Sequence, residues 1–126
     1  MLDFVTMHGR RVVASATALD AAQWPDGALV LRLAPDDVFV IGPGDLAVDD
    51  EHAIVCDEAG WSGVWLPVDV FEALAQSHIH WSVPGQRPAF AQGLMAQIPV
   101  KLWLENERVL VLTATVSRHE LMERLA

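Results

Sequence analysis

His78 and His80 stand on either side of Ile79, and on an extended strand both imidazoles would face the same way, as two ligands of a metal do. A site needs at least a third ligand, which would have to come from as far away as His52 or Glu51. The pair therefore reads as hydrated histidines at a helix exit. Cys56 has no companion base in sequence and lies beside Asp57 and Glu58, the reverse of the electropositive setting that a nucleophilic thiol needs. With Ile54 on the same strand face, it reads as an inert buried thiol. Asp57 and Glu58 would point to opposite faces of a strand and make no acid and base couple. Asp36-Asp37 and Asp49-Asp50-Glu51 lack the spacing and glycine of a calcium loop, and Gly42-Pro43-Gly44 is too short for a phosphate loop. His119 reads as a surface residue in the first turn of the last helix. No catalytic residue, no metal ligand and no cofactor is expected.

The tryptophans are the better candidates for recognition. Trp61 and Trp65 alternate around Gly63 on one strand face, a concavity suited to a flat ligand, while Trp81 and Trp103 fall in or beside strands. Trp61, Trp65 and Trp81 are thus the candidate ligand or interface residues, with core packing as the ordinary use of an indole.

The elements that must hold these residues alternate between strands and helices. Residues 2–7 and 11–18 look extended around the His8-Gly9 turn and are read as a hairpin, although the alanines of 14–22 also suit a helix. Residues 20–27 form a turn-rich connection. A second hairpin joins 28–33 to 38–41 through Pro35 and Asp36, and Gly42-Pro43-Gly44 stops it. Strands follow at 53–58 and 61–66. Asp69 and Glu72 have the spacing of an N-cap and its N3 acid, predicting a helix that runs to about His78. Residues 91–104 read as extended chain and 108–114 as a strand. Ser117 with Glu120 spells a capping box, flanked by Val116 and Leu121 as a hydrophobic staple, at the head of a helix over 117–125.

This pattern predicts an α+β fold: an antiparallel or mixed sheet with two main helices on one face, ferredoxin-like or a relative of it. At 126 residues, with 52% hydrophobic and 20% charged side chains, the chain is expected to form a single domain, of which the first 27 residues are the least defined. No uncharged stretch approaches the roughly 20 apolar residues of a membrane-spanning helix, and Asp3 precedes the first apolar residues while Arg10-Arg11 follow, unlike a signal peptide. With one cysteine, a cytoplasmic protein is expected. Net charge is −9, and residues 33–86 hold ten acids with no Lys or Arg. Such a balance repels phosphate backbones and anionic lipid, which argues against nucleic-acid and membrane partners. The acidic window reads as a solvated face, with an acidic docking surface for a basic partner as the alternative.

Several segments together resemble the gamma subunit of heterotetrameric sarcosine oxidase. They are Ala53-Ile54-Val55-Cys56-Asp57, Leu66-Pro67-Val68-Asp69, the helix over 70–76, Pro84-Gly85-Gln86, Gln92-Gly93-Leu94-Met95-Ala96, Ile98-Pro99-Val100-Lys101-Leu102-Trp103, Val109-Leu110-Val111-Leu112 and the helix at Ser117. The hairpin from Leu29 to Gly42 is similar to a hallmark of the wider group, the folate-binding aminomethyltransferase-like fold that includes glycine-cleavage T-protein. The resemblance spans residues 28–125. It implies an aminomethyltransferase-like fold in a non-catalytic structural or interaction subunit, with amine oxidase-type subunits as protein partners or else a homo-oligomer. A stand-alone binder of a folate-like or other flat small molecule is the alternative. No folate-contacting or catalytic residue carries over, because no motif for one matches.

Overall fold

The computed structural model describes residues 2–126 and is α+β, with two antiparallel sheets and three α-helices. The backbone groups into two compact units, one made of the segment up to Thr6 with Gly60–Ala126, the other of Met7–Ala59. In the first, β1 (Val5–Thr6), β6 (Trp61–Pro67), β7 (Ala89–Met95), β8 (Ile98–Leu104) and β9 (Arg108–Ala114) form a sheet in the order β1-β6-β9-β8-β7. Helices α2 (Val68–His78) and α3 (Arg118–Leu125) cover one face of it. Phe71 of α2 and Leu121 and Leu125 of α3 pack there with Leu66, Val100, Leu102, Leu104, Val109 and Val111, burial worth about 1.5–3 kcal/mol for each large side chain. The second unit has β2 (Gly9–Val13), α1 (Ala16–Ala21), β3 (Leu29–Ala34), β4 (Asp37–Ile41) and β5 (Ile54–Glu58), with sheet order β3-β4-β2-β5. Its core is Val12, Ala14, Ala18, Leu19, Val38 and Val40.

Several local expectations change. The first strand and β2 are not a hairpin: β1 pairs with β6 while β2 pairs with β4 and β5, so the chain leaves one sheet for the other across Met7 and His8, and Gly9 is already part of β2. The alanine-rich stretch is helical, because Ser15 accepts a hydrogen bond from the Ala18 amide (3.1 Å) and caps α1. Helix α2 starts at Val68, before the predicted Asp69 cap. Pro67 needs no amide partner, and the Val68 amide donates to the Glu107 carbonyl instead (3.0 Å). The extended run 91–104 contains a reversal. Ala96 and Gln97 lie at φ 52° and 67°, so β7 and β8 form a hairpin with a two-residue turn.

The capping box at Ser117 does not form. Thr115–Ser117 is a 3₁₀ turn running into α3, which leaves Ser117 at φ −100°, ψ −4° with no side-chain cap bond. Val116 is 95% exposed and staples nothing. Helix α3 is instead held by Arg124, which donates to Glu120 (2.5 Å) and to the carbonyl of Ala96 (2.7 Å). Ser117→Ala is accordingly expected to move stability by no more than about 0.5 kcal/mol. A denaturation midpoint lower by the roughly 1 kcal/mol of a lost N-cap would show that the hydroxyl does cap the helix in solution.

Candidate functional site: a tryptophan face capped by cations

Strand alternation puts Trp61, Gly63 and Trp65 of β6 on the side of the five-stranded sheet that α2 and α3 leave uncovered. Register then decides their neighbours. Trp65 and Trp103 both face Leu110 of the intervening β9, and Gly63 and Lys101 both face Leu112. A cation lies over each β6 indole: Lys101 Nζ is 4.6 Å from the centroid of Trp61, and the Arg108 guanidinium carbon is 3.7 Å from that of Trp65. Each contact is worth about 0.5–1 kcal/mol at an accessible site. Glu105 closes the arrangement, accepting from Arg108 Nε (2.9 Å) and Trp103 Nε1 (2.9 Å), while Lys101 Nζ donates to Gln92 Oε1 (2.8 Å).

The two indoles are cross-braced by cations rather than lining an open slot, and Leu110 and Leu112 beside them are fully buried. A flat ligand stacking on Trp65 would compete with the guanidinium already on that ring. The hydrogen bond from Arg108 holds the Glu105 carboxyl below the ordinary glutamate range; partial burial opposes this and the Trp103 bond adds to it. A depressed folded-state value means that the stabilisation is complete above the unfolded value near 4.3 and is lost as pH falls through the folded one. Glu105→Gln should therefore lower the urea midpoint measurably at pH 7 and much less at pH 3. Equal losses at both values would mean that the carboxylate charge contributes nothing.

Trp81 lies elsewhere. Its ring packs on Gly93 and its Nε1 donates to the Leu94 carbonyl (2.8 Å), on the helix-covered side. There it helps line an open cleft of about 480 Å³ with Phe71, Glu72, Ile79, Val83 and Arg87. Arg87 Nη1 donates to the carbonyls of Pro84 (2.6 Å) and Gln86 (2.8 Å), bracing the cleft wall. Sequence reading singled out Trp81 without the cleft. A signal that could have found the cleft is the alternation of Ile79, Trp81 and Val83 directly after a helix.

The titratable candidates do not converge. His78 ends α2 and His80 follows it, so they do not share a strand face, and among the described residues no group of three His, Cys, Asp or Glu could hold a metal. Cys56 is exposed, not buried, because β5 is an edge strand with four of its five residues in solvent. Glu58 is held by Arg11, whose Nη1 reaches its Oε1 at 3.0 Å while Nε and Nη2 form a fork on Asp37 at 2.6 and 2.5 Å. That arginine thereby ties β2 to both of its neighbours. Its own proton is held more tightly than usual, chiefly by the bond to Asp37. Asp50 is more than a loop acid: it accepts from the Ser15 and His52 amides (both 2.9 Å), bonds that hold its carboxyl below the usual range.

The fold and face define an α+β protein with a helix-covered sheet whose opposite face carries cation-capped tryptophans. No family model matches the chain, and no curated protein matches it. Among solved structures, it is similar to a chain of heterotetrameric sarcosine oxidase from Corynebacterium sp. U-96, solved in complex with pyrrole 2-carboxylate. The TM-score is 0.69 at 18% identity, over 99% of this chain and 80% of that one. The likeness is one of fold. Among the described residues, no helix is long and apolar enough to cross a membrane.

Proposed function

We propose that this chain is a non-catalytic structural or interaction subunit of an amine oxidase-type assembly, in the manner of the gamma subunit of heterotetrameric sarcosine oxidase. The observation that carries the reading is the shared fold over 99% of the chain with a component of a heterotetrameric enzyme. The tryptophan face supports it, since Lys101 and Arg108 occupy the positions over Trp61 and Trp65 where a flat ligand would stack. In this reading the protein is cytoplasmic, and its partners carry the cofactors.

Affinity purification of the tagged chain from its native cell tests this. Stoichiometric recovery of amine oxidase-type subunits is expected, with flavin absorbance in the complex and none in the separated chain. Recovery of the chain alone, or flavin on the isolated chain, would overturn it. The cleft at Trp81 favours a second reading, a stand-alone binder of a folate-like or other flat molecule. Tetrahydrofolate would then quench tryptophan fluorescence saturably, and Trp81→Phe would remove that response.

A further inference from the structure

Strand β5 ends the four-stranded sheet, pairing with β2 on one side only. Its outer edge presents backbone N–H and C=O groups at alternate residues, the template onto which another strand adds. Edge strands are ordinarily kept from pairing by being short, covered or charged along their length. The other edges fit that rule: β1 is two residues long, β3 has no exposed residue, and β7 is half buried. Strand β5 does not. Ile54 is 61% exposed and Val55 51%, and because successive side chains alternate, apolar surface is open on both faces of one edge.

The charge around this edge selects its occupant. The strand is preceded by Asp49, Asp50 and Glu51 and ends in Asp57 and Glu58; the adjacent β2 brings Arg11, which binds Glu58, and Arg10 opposite Asp57, so the acids are in excess by five to two. A second copy would bring the same acids and its own net charge of −9, which opposes self-pairing. A segment combining β-branched residues with Lys or Arg would complement both features. We infer that β5 is a docking edge that takes an extended, basic segment of a partner protein as an added antiparallel strand. Backbone pairing supplies affinity, Ile54 and Val55 supply apolar contact on the two faces, and the flanking acids steer the approach. The inference rests on the subunit reading only for the existence of a partner; the chemistry of the edge can be tested on the isolated chain.

The probe is a synthetic peptide alternating valine with lysine and threonine, titrated into the full chain, with amide exchange followed by NMR. Slower exchange at Ile54–Glu58 is expected, with affinity falling about tenfold or more as salt rises from roughly 0.05 to 0.5 M. A glutamate-for-lysine peptide should not bind, and Ile54→Lys combined with Val55→Lys, both at exposed positions, should abolish the effect. Alkylation of Cys56, at the middle of the strand, should also slow when the wild-type chain is saturated, a readout that needs no variant. Unchanged exchange in β5, equal binding of the acidic peptide, or a β5-dependent dimer by sedimentation without peptide would each overturn the inference. These results leave the subunit reading intact, because co-purification decides that separately.

Discussion

Replacing Leu121 by alanine is expected to cost about 2–5 kcal/mol, a large part of the roughly 5–15 kcal/mol that holds a domain of this size folded. Leu121 is fully buried, and it docks α3 onto the sheet among Leu102, Leu104, Val109 and Val111. The helix makes no N-cap bond, so its attachment depends on this contact, Leu125 and the bonds of Arg124. Urea denaturation of wild type, Leu121→Ala and Val116→Ala decides the matter. The alanine at 116, a position 95% exposed, should leave the midpoint unchanged. A Leu121→Ala loss below about 1 kcal/mol would mean that α3 is not docked as described.

The second large effect comes from the smallest change, Gly9→Ala. A Cβ at position 9 would collide with the Val40 carbonyl oxygen and stand 2.6 Å from Cε1 of Phe39. The oxygen belongs to the backbone of β4, and Phe39 is fully buried, so neither yields without moving the strand. Destabilisation of about 1–3 kcal/mol or more is expected, read as a lower thermal midpoint. Gly85→Ala is the control, since nothing lies within 4 Å of a Cβ there. Equal behaviour of the two variants would remove the steric account.

Much of the strand pattern was legible because alternation and turn residues agreed. Pro35 and Asp36 marked the β3–β4 hairpin, and the boundaries of β9 follow directly from Arg108 and Ala114. The β7–β8 hairpin was missed because its turn is Ala96-Gln97, neither residue being one that favours positive φ. Cys56 was misjudged because alternation tells which side chains share a face but not whether anything covers that face. The caps failed for a different reason. Ser117 has the right side chain, but its backbone is already helical, and a capping geometry requires that it not be. The tryptophan face was half legible: the period-two spacing of Trp61 and Trp65 was visible, whereas Lys101 and Arg108 come from other strands and depend on register.

The turn at Ala96 and Gln97 also sets an order of events in folding. A left-handed residue other than glycine costs roughly 1–2 kcal/mol, so this reversal cannot act as the seed from which its hairpin zips. It is held from outside, with the Ala96 amide donating to the carbonyl of His78 at the end of α2 (2.8 Å) and its carbonyl accepting from Arg124 of α3. Both clamps arrive from helices distant in sequence, so β7 and β8 must come together around a turn that is still unset. The transition state for folding should therefore contain β8 paired with β9 while the Ala96 bend is unformed. Ala96→Gly would then alter the unfolding rate and leave the folding rate nearly untouched, and a matching change in the folding rate would place the bend in the nucleus.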